Sequence, residues 1–149
     1  LGEILAGWLN AYRAGGWLPK WASPGYRDSM VGTYADVILS DAVLKNIPGV
    51  DAKLVWEAIR KDAYNTSSTD HAMGRTGLKL YLELGFVPVD QNVGEGVTRT
   101  LDFAYADAAG AQVALRLGLA EEAEELRNRS LRALAAVYDA RQHLMGQKM

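Results

Sequence analysis

The sequence predicts a compact all-α domain, and three observations carry that expectation. Apolar residues recur at helical spacing in successive stretches. Glycines, prolines and capping residues bracket those stretches. No stretch makes a convincing sheet.

The first helix is expected from Leu1 to Ala14. Leu1, Ile4, Leu5, Trp8, Leu9 and Tyr12 fall at i, i+3, i+4, i+7, i+8 and i+11, one apolar stripe. Gly15-Gly16 accepts the left-handed turn that ends it. Asp28 or Ser29 is a fair N-cap for a second helix running to about Asn46. Its Met30, Val31, Tyr34, Val37, Ile38, Leu39, Val43 and Leu44 cover more than one face, the pattern of a helix among other helices. Asp36 and Ser40, one turn apart, share a face. They read as a polar rim or a hydrogen-bonded core pair before a ligand-facing one.

Ile47-Pro48-Gly49-Val50 is a turn, and Asp51 caps a third helix from Ala52 to about Tyr64. The polar run Asn65 to Asp70 is a loop, and Asn65-Thr66-Ser67 fits a glycosylation sequon, a pattern of low specificity. A fourth helix is expected from about Met73 to Leu84, ended by Gly85, with Phe86 to Val89 extended after it. The fifth begins near Glu95 to Val97 and ends at Leu117-Gly118. It is rich in alanine, with Asp102, Tyr105 and Asp107 as polar groups on a small apolar surface. The sixth runs from about Ala120 to Tyr138. Its Glu121, Glu122, Glu124 and Glu125 suit the macrodipole, and Arg127, Arg129 and Arg132 read as a solvated face paired with them, Glu125 to Arg129 for example. Short connections make consecutive helices antiparallel hairpins.

A chain of 149 residues is one domain. Sixteen Lys and Arg against eighteen Asp and Glu give a formal charge of −2, which argues against a nucleic-acid partner. There is no cysteine, hence no disulfide framework. No apolar run reaches about 18 residues, so no membrane-spanning helix is expected. Leu1 opens no recognisable signal peptide, and a start at Leu rather than Met fits excision from something longer. His71 and His143 read as solvent-exposed, and no cluster has metal-ligand spacing.

The stretch that helix packing does not require lies between Gly15 and Ser29. It holds Trp17, Pro19, Trp21, Pro24, Tyr26, Arg27 and Asp28. Prolines lower the cost of ordering a loop, tryptophans offer flat apolar faces, and Arg and Asp offer hydrogen bonds to hydroxyls. Two readings stay open: a connector whose tryptophans plug a helix interface, or a loop that faces a sugar.

The strings here resemble glycoside hydrolase family 92, the α-mannosidases. The strongest are Gly16-Trp17-Leu18-Pro19-Lys20-Trp21 with Met30-Val31-Gly32, and Thr98-Arg99-Thr100-Leu101-Asp102-Phe103-Ala104-Tyr105-Ala106-Asp107. Weaker ones are Ala35-Asp36 to Asp41-Ala42, Trp56-Glu57-Ala58 to Lys61-Asp62-Ala63, and Tyr81 to Pro88. The resemblance spans about Leu5 to Tyr138 and implies part of an (α/α) toroid. It implies an inverting, exo-acting α-mannosidase that uses calcium on the 2- and 3-hydroxyls of mannose, in a secreted or periplasmic setting. It also implies chains several times longer, so that the aspartate base and the calcium ligands lie C-terminal to these residues. Many family members carry a glutamate acid a few residues before the motif matched by Met30-Val31-Gly32. Here the sequence is Tyr26-Arg27-Asp28, so Asp28 is the candidate acid. Trp17, Trp21, Tyr26, Arg27 and Asp102 are the candidate substrate-binding residues. Arg27 in place of an acid also fits a mannosyl phosphodiester, whose leaving phosphate hardly needs a proton. A separate class competes: a non-catalytic or self-assembling helical module in which Trp8, Trp17, Trp21 and Trp56 bury a partner surface.

Overall fold

A computed structural model describes residues 1–21, 25–67 and 72–149. Pro24 and the 68–71 part of the polar loop, with His71, lie outside the described residues.

Helix α1 (Gly2–Gly15) buries Leu5, Leu9 and Tyr12, and Gly16 closes it in the left-handed region at φ 78°. Leu1 and Ile4, at the start of the expected stripe, stay exposed. Helix α2 (Tyr34–Leu44) starts later than the sequence suggests. Asp28 and Ser29 do not cap it. Thr33 stands at the N-cap but makes no side-chain cap bond, because its hydroxyl donates to Asp36 Oδ2 at 2.6 Å. Gly32 is pressed against Asp102, where a Cβ would lie 2.8 Å from Oδ2. Residues 28–33 therefore cross the start of the fifth helix instead of coiling.

Helix α3 (Ala52–Tyr64) is capped as expected: Asp51 Oδ1 accepts from the backbone N–H of Lys53 at 2.9 Å and of Leu54 at 3.3 Å. Helix α4 (Leu78–Leu84) is shorter than expected at its start. Gly74 and Gly77 hold φ of 62° and 90°, which no continuous helix allows. The two long helices, α5 (Gly96–Arg116) and α6 (Ala120–Val137), match their expected bounds. The tail forms one short antiparallel pair, β1 (Tyr138–Asp139) with β2 (Leu144–Met145), and His143 is exposed in its turn. Among the described residues no helix is long and apolar enough to cross a membrane.

Helix α5 is the centre, packed on α2, α3 and α6. One apolar cluster gathers α1, α2, α3 and the second half of α5 around Leu39, Ile59 and Val113. Another gathers Leu78, Tyr81, Val87 and Phe103. Asp107 lies between these two parts of α5 and is wholly buried. Arg75 Nη1 donates to its Oδ1 at 2.6 Å, and Arg129 donates from Nε to Oδ2 at 2.6 Å and from Nη2 to Oδ1 at 2.8 Å. The Tyr81 hydroxyl adds a bond to Oδ2 at 2.9 Å. Arg75 also reaches Asp36 Oδ2 at 3.2 Å. The layer thus ties α2, the 72–77 turn, α4, α5 and α6 together.

Two readings change here. Arg129 is not on the solvated face with Glu125, since it is 5% exposed and turned onto Asp107. Asp36 and Ser40 are core residues, but their side chains do not pair: the Ser40 hydroxyl donates to the Asp36 backbone carbonyl at 2.7 Å.

Removing one member of a buried ion cluster strands the charge of another. Arg75→Met should therefore destabilise the domain by about 3–5 kcal/mol, read as a lower urea midpoint. Arg127→Met, on the exposed side of α6, should shift the midpoint by less than about 0.5 kcal/mol.

Candidate functional site

The aromatic loop packs onto the end of the domain where α3, the 72–77 turn and the start of α5 meet. Trp17 is buried. Lys61 Nζ stands 4.7 Å from its ring centre, and Gly74 backs onto its six-membered ring, where a Cβ would come within 2.7 Å. Tyr26 is half-buried over Gly15, its hydroxyl 2.8 Å from the Trp17 carbonyl and 3.1 Å from that of Ala11. Burial raises its pKa above the usual tyrosine value. These two residues hold the loop on the helices.

Above them the loop turns outward. Trp21 is 45% exposed and stands between two clefts. The larger, of about 560 Å³, has α1 as one wall, with Trp8, Pro19 and Tyr26. The smaller, of about 200 Å³, is lined by Lys20, Met30, Tyr34 and Ile38 among others. Arg27 is exposed. Asp28 is exposed on one side, and its Oδ1 lies 3.5 Å from Lys20 Nζ. Asp28, Ser29, Met30, Glu95 and Arg99 line a further polar cleft of about 200 Å³. Asp102 Oδ1 accepts from the Tyr34 hydroxyl at 2.6 Å, and that bond, with burial, pushes the Tyr34 pKa up to about 12. The structure thus gathers Trp21, Asp28 and Met30 at one rim. It sets Trp17 and Tyr26 beneath the rim, and Asp102 beside Gly32.

Three charged residues matter here that the sequence reading did not single out. Lys20 lies inside the Trp-Leu-Pro-Lys-Trp string, yet is only 6% exposed. Burial lowers its pKa, against the opposing pull of Asp28. Arg99 donates from Nε to the Gly94 carbonyl at 2.8 Å and pairs with Glu95 at 3.4 Å. Asp62 is 1% exposed on the inner face of α3. Its signal was legible, for it continues the Val55, Ala58, Ile59 stripe at helical spacing.

Asp62 and Asp36 are both buried in the core, near enough for their charges to act on each other. Burial first, and then the Asp36 charge, push the Asp62 pKa well above the carboxylate range. Asp36 Oδ2 accepts from Thr33 and Arg75, which oppose the upward push of burial on its pKa, whereas neither carboxyl oxygen of Asp62 has a hydrogen-bond partner among the described residues. Asp107 is the opposite case. Burial would raise its pKa, but Arg75 and Arg129 outweigh that and hold it low.

Calcium takes about six to eight oxygen ligands. Asp28 faces Lys20, Asp102 holds Tyr34, and Glu95 faces Arg99. No group of three or more acidic or imidazole side chains among the described residues could hold a metal ion. These residues do not fit a calcium cage.

The helices thus carry an aromatic loop with the exposed Trp21 and the rim carboxylate Asp28. The glycosyl hydrolase family 92 catalytic domain matches residues 1–149, and the chain belongs to that family. A family GH92 inverting mannosidase from Bacteroides thetaiotaomicron is 33% identical and superposes with a TM-score of 0.89 over 97% of this chain. A GH92 α-mannosidase of the same organism, also solved with mannoimidazole, gives 29–30% identity and TM-scores of 0.85 and 0.84 over 99% of the chain. An uncharacterised secreted glycosidase of Arthroderma benhamiae is 32% identical over 133 residues, 82% of this chain. The chain spans 17% of that relative's length and 19% of each solved one. These matches make the all-α toroid segment the fold and do not favour the non-catalytic module.

The buried carboxyls have opposite effects on the pH dependence of stability. Asp62, raised in the folded chain, keeps a proton that the unfolded chain loses above about pH 4, so its contribution falls as pH rises towards its folded value. Asp107, lowered when folded, contributes above its unfolded pKa, and that contribution is lost as pH falls through its folded value. Asp62→Asn removes this titrating carboxyl and should reduce the decline with rising pH, measured by urea unfolding across a pH series.

Proposed function

We propose that this chain forms part of the active-site wall of an exo-acting α-mannosidase that hydrolyses terminal α-linked mannose with inversion and works outside the cell. The observation that carries this is the 33% identity, over nearly the whole chain, to a solved inverting mannosidase. The mannoimidazole complex of a second relative supports a mannose-shaped ligand, and the secreted fungal relative supports the location.

The rim geometry suits that role. Trp21 offers an apolar face to the C–H side of a sugar ring. Arg27 offers a guanidinium fork, and the Asp102–Tyr34 pair can exchange hydrogen bonds with hydroxyls at the edge. Inversion needs two carboxyls about 6.5–9.5 Å apart, one to protonate the leaving oxygen and one to activate water across the ring. Asp28 is the carboxyl at the position where the family resemblance expects the acid. Its partner, and the calcium that the resemblance implies, would come from other residues, so the described residues by themselves do not complete the reaction. Arg27 beside Asp28 supports a second substrate, a mannosyl phosphodiester, in which the leaving phosphate needs a cation more than a proton.

The test is mannose release from α-linked mannobiose and from a mannosyl phosphodiester, with calcium and with a chelator, while ¹H NMR follows the first anomer formed. The 149-residue chain alone should release none, but mannoimidazole should quench its tryptophan fluorescence, and Trp21→Ala should abolish that response. Release by the chain alone would overturn the incomplete-site reading. If a longer form of the protein gives α-mannose first, inversion is wrong. Equal quenching by gluco- and galacto-configured analogues would remove mannose as the ligand.

A further inference from the structure

We propose that Lys20 is the positioning residue of this site: from beneath the aromatic loop its ammonium fixes the Asp28 carboxylate.

Lysine is among the residues least often buried, because its ammonium is costly to remove from water. Here the Lys20 side chain is 1% exposed, while the Asp28 side chain that it meets is 55% exposed. One charge is inside and its partner is at the rim. Among the described residues the Asp28 carboxylate has no other ion pair or hydrogen bond. It caps no helix, since α2 begins at Tyr34. Its position therefore depends on Lys20.

The backbone around Lys20 is well held. Trp17 on its N-terminal side is pinned by Lys61 and Gly74, and the Trp17 carbonyl takes the Tyr26 hydroxyl. Arg99, which lines the same polar cleft as Asp28, repels the ammonium and so favours its place against that carboxylate. This assignment rests on the mannosidase reading for its use, but the coupling itself does not.

The experiment uses the full 149-residue protein, labelled with ¹³C and ¹⁵N. The Asp28 carboxyl carbon and the Lys20 side-chain nitrogen are followed by NMR, and mannoimidazole binding by titration. Lys20→Met should move the Asp28 carboxyl resonance and broaden the amides of residues 27–31. It should weaken mannoimidazole binding by about tenfold, the scale of one charge-assisted contact. Lys20→Arg should restore most of both, which a merely packed side chain would not do. An Asp28 resonance that stays put in folded Lys20→Met overturns the proposal. If Lys20→Met does not fold, Asp28→Asn, changed on the solvent side, decides: the Lys20 nitrogen signal should shift, and an unmoved signal overturns the proposal. Coupling as expected, with no mannoimidazole binding by the unmodified chain, supports the positioning role and refutes the ligand assignment instead.

Discussion

A carboxylate without access to water must be met by donors, and Asp107 is that carboxylate. Its place on α5 obliges Arg75 and Arg129 to turn inward and Tyr81 to point its hydroxyl at the same spot. Those demands fix the angle at which α6 and the 72–77 turn approach α5. The aromatic rings complete the arrangement: Tyr81 meets Phe103 edge-on at 5.5 Å, and the Arg75 guanidinium lies 5.6 Å from the Phe103 ring centre. Hydrophobic burial supplies most of the stability, as in any such domain. It does not choose one arrangement of helices, and oriented charge pairs restrict that choice.

The charge balance of the interior follows from the same layer. Two guanidinium groups stand against Asp36 and Asp107. A third buried anion would find no unclaimed partner near Arg75, and burial with the Asp36 charge pushes Asp62 towards its neutral form.

Much of the fold was legible in the sequence, for identifiable reasons. The bounds of α5 and α6 and the Asp51 cap follow from local chemistry, which the structure does not override. The starts of α2 and α4 escape the local sequence because tertiary contacts decide them. Thr33 gives its hydroxyl to Asp36, and the 72–77 turn folds around Arg75. Arg129 is obscured for a related reason: Glu125 lies one helical turn before it, whereas its partner lies 22 residues away on another helix. The rim residues Trp21 and Asp28 could be found from residue types in a loop. Lys20 and Asp62 could not be given roles in the same way, since a charge inside an apolar pattern acquires meaning only from what it meets in space.

Gly74 and Arg75 are neighbours in the chain, and they face different tasks. Gly74 leaves room for the Trp17 ring that carries the loop, while Arg75 closes the ion cluster of the core. Two adjacent codons therefore hold both the shape of the recognition surface and the integrity of the domain. Drift in ligand preference that reshapes the loop through this turn is filtered by folding first. Variation is freer further along the loop at Ser29, whose side chain is exposed.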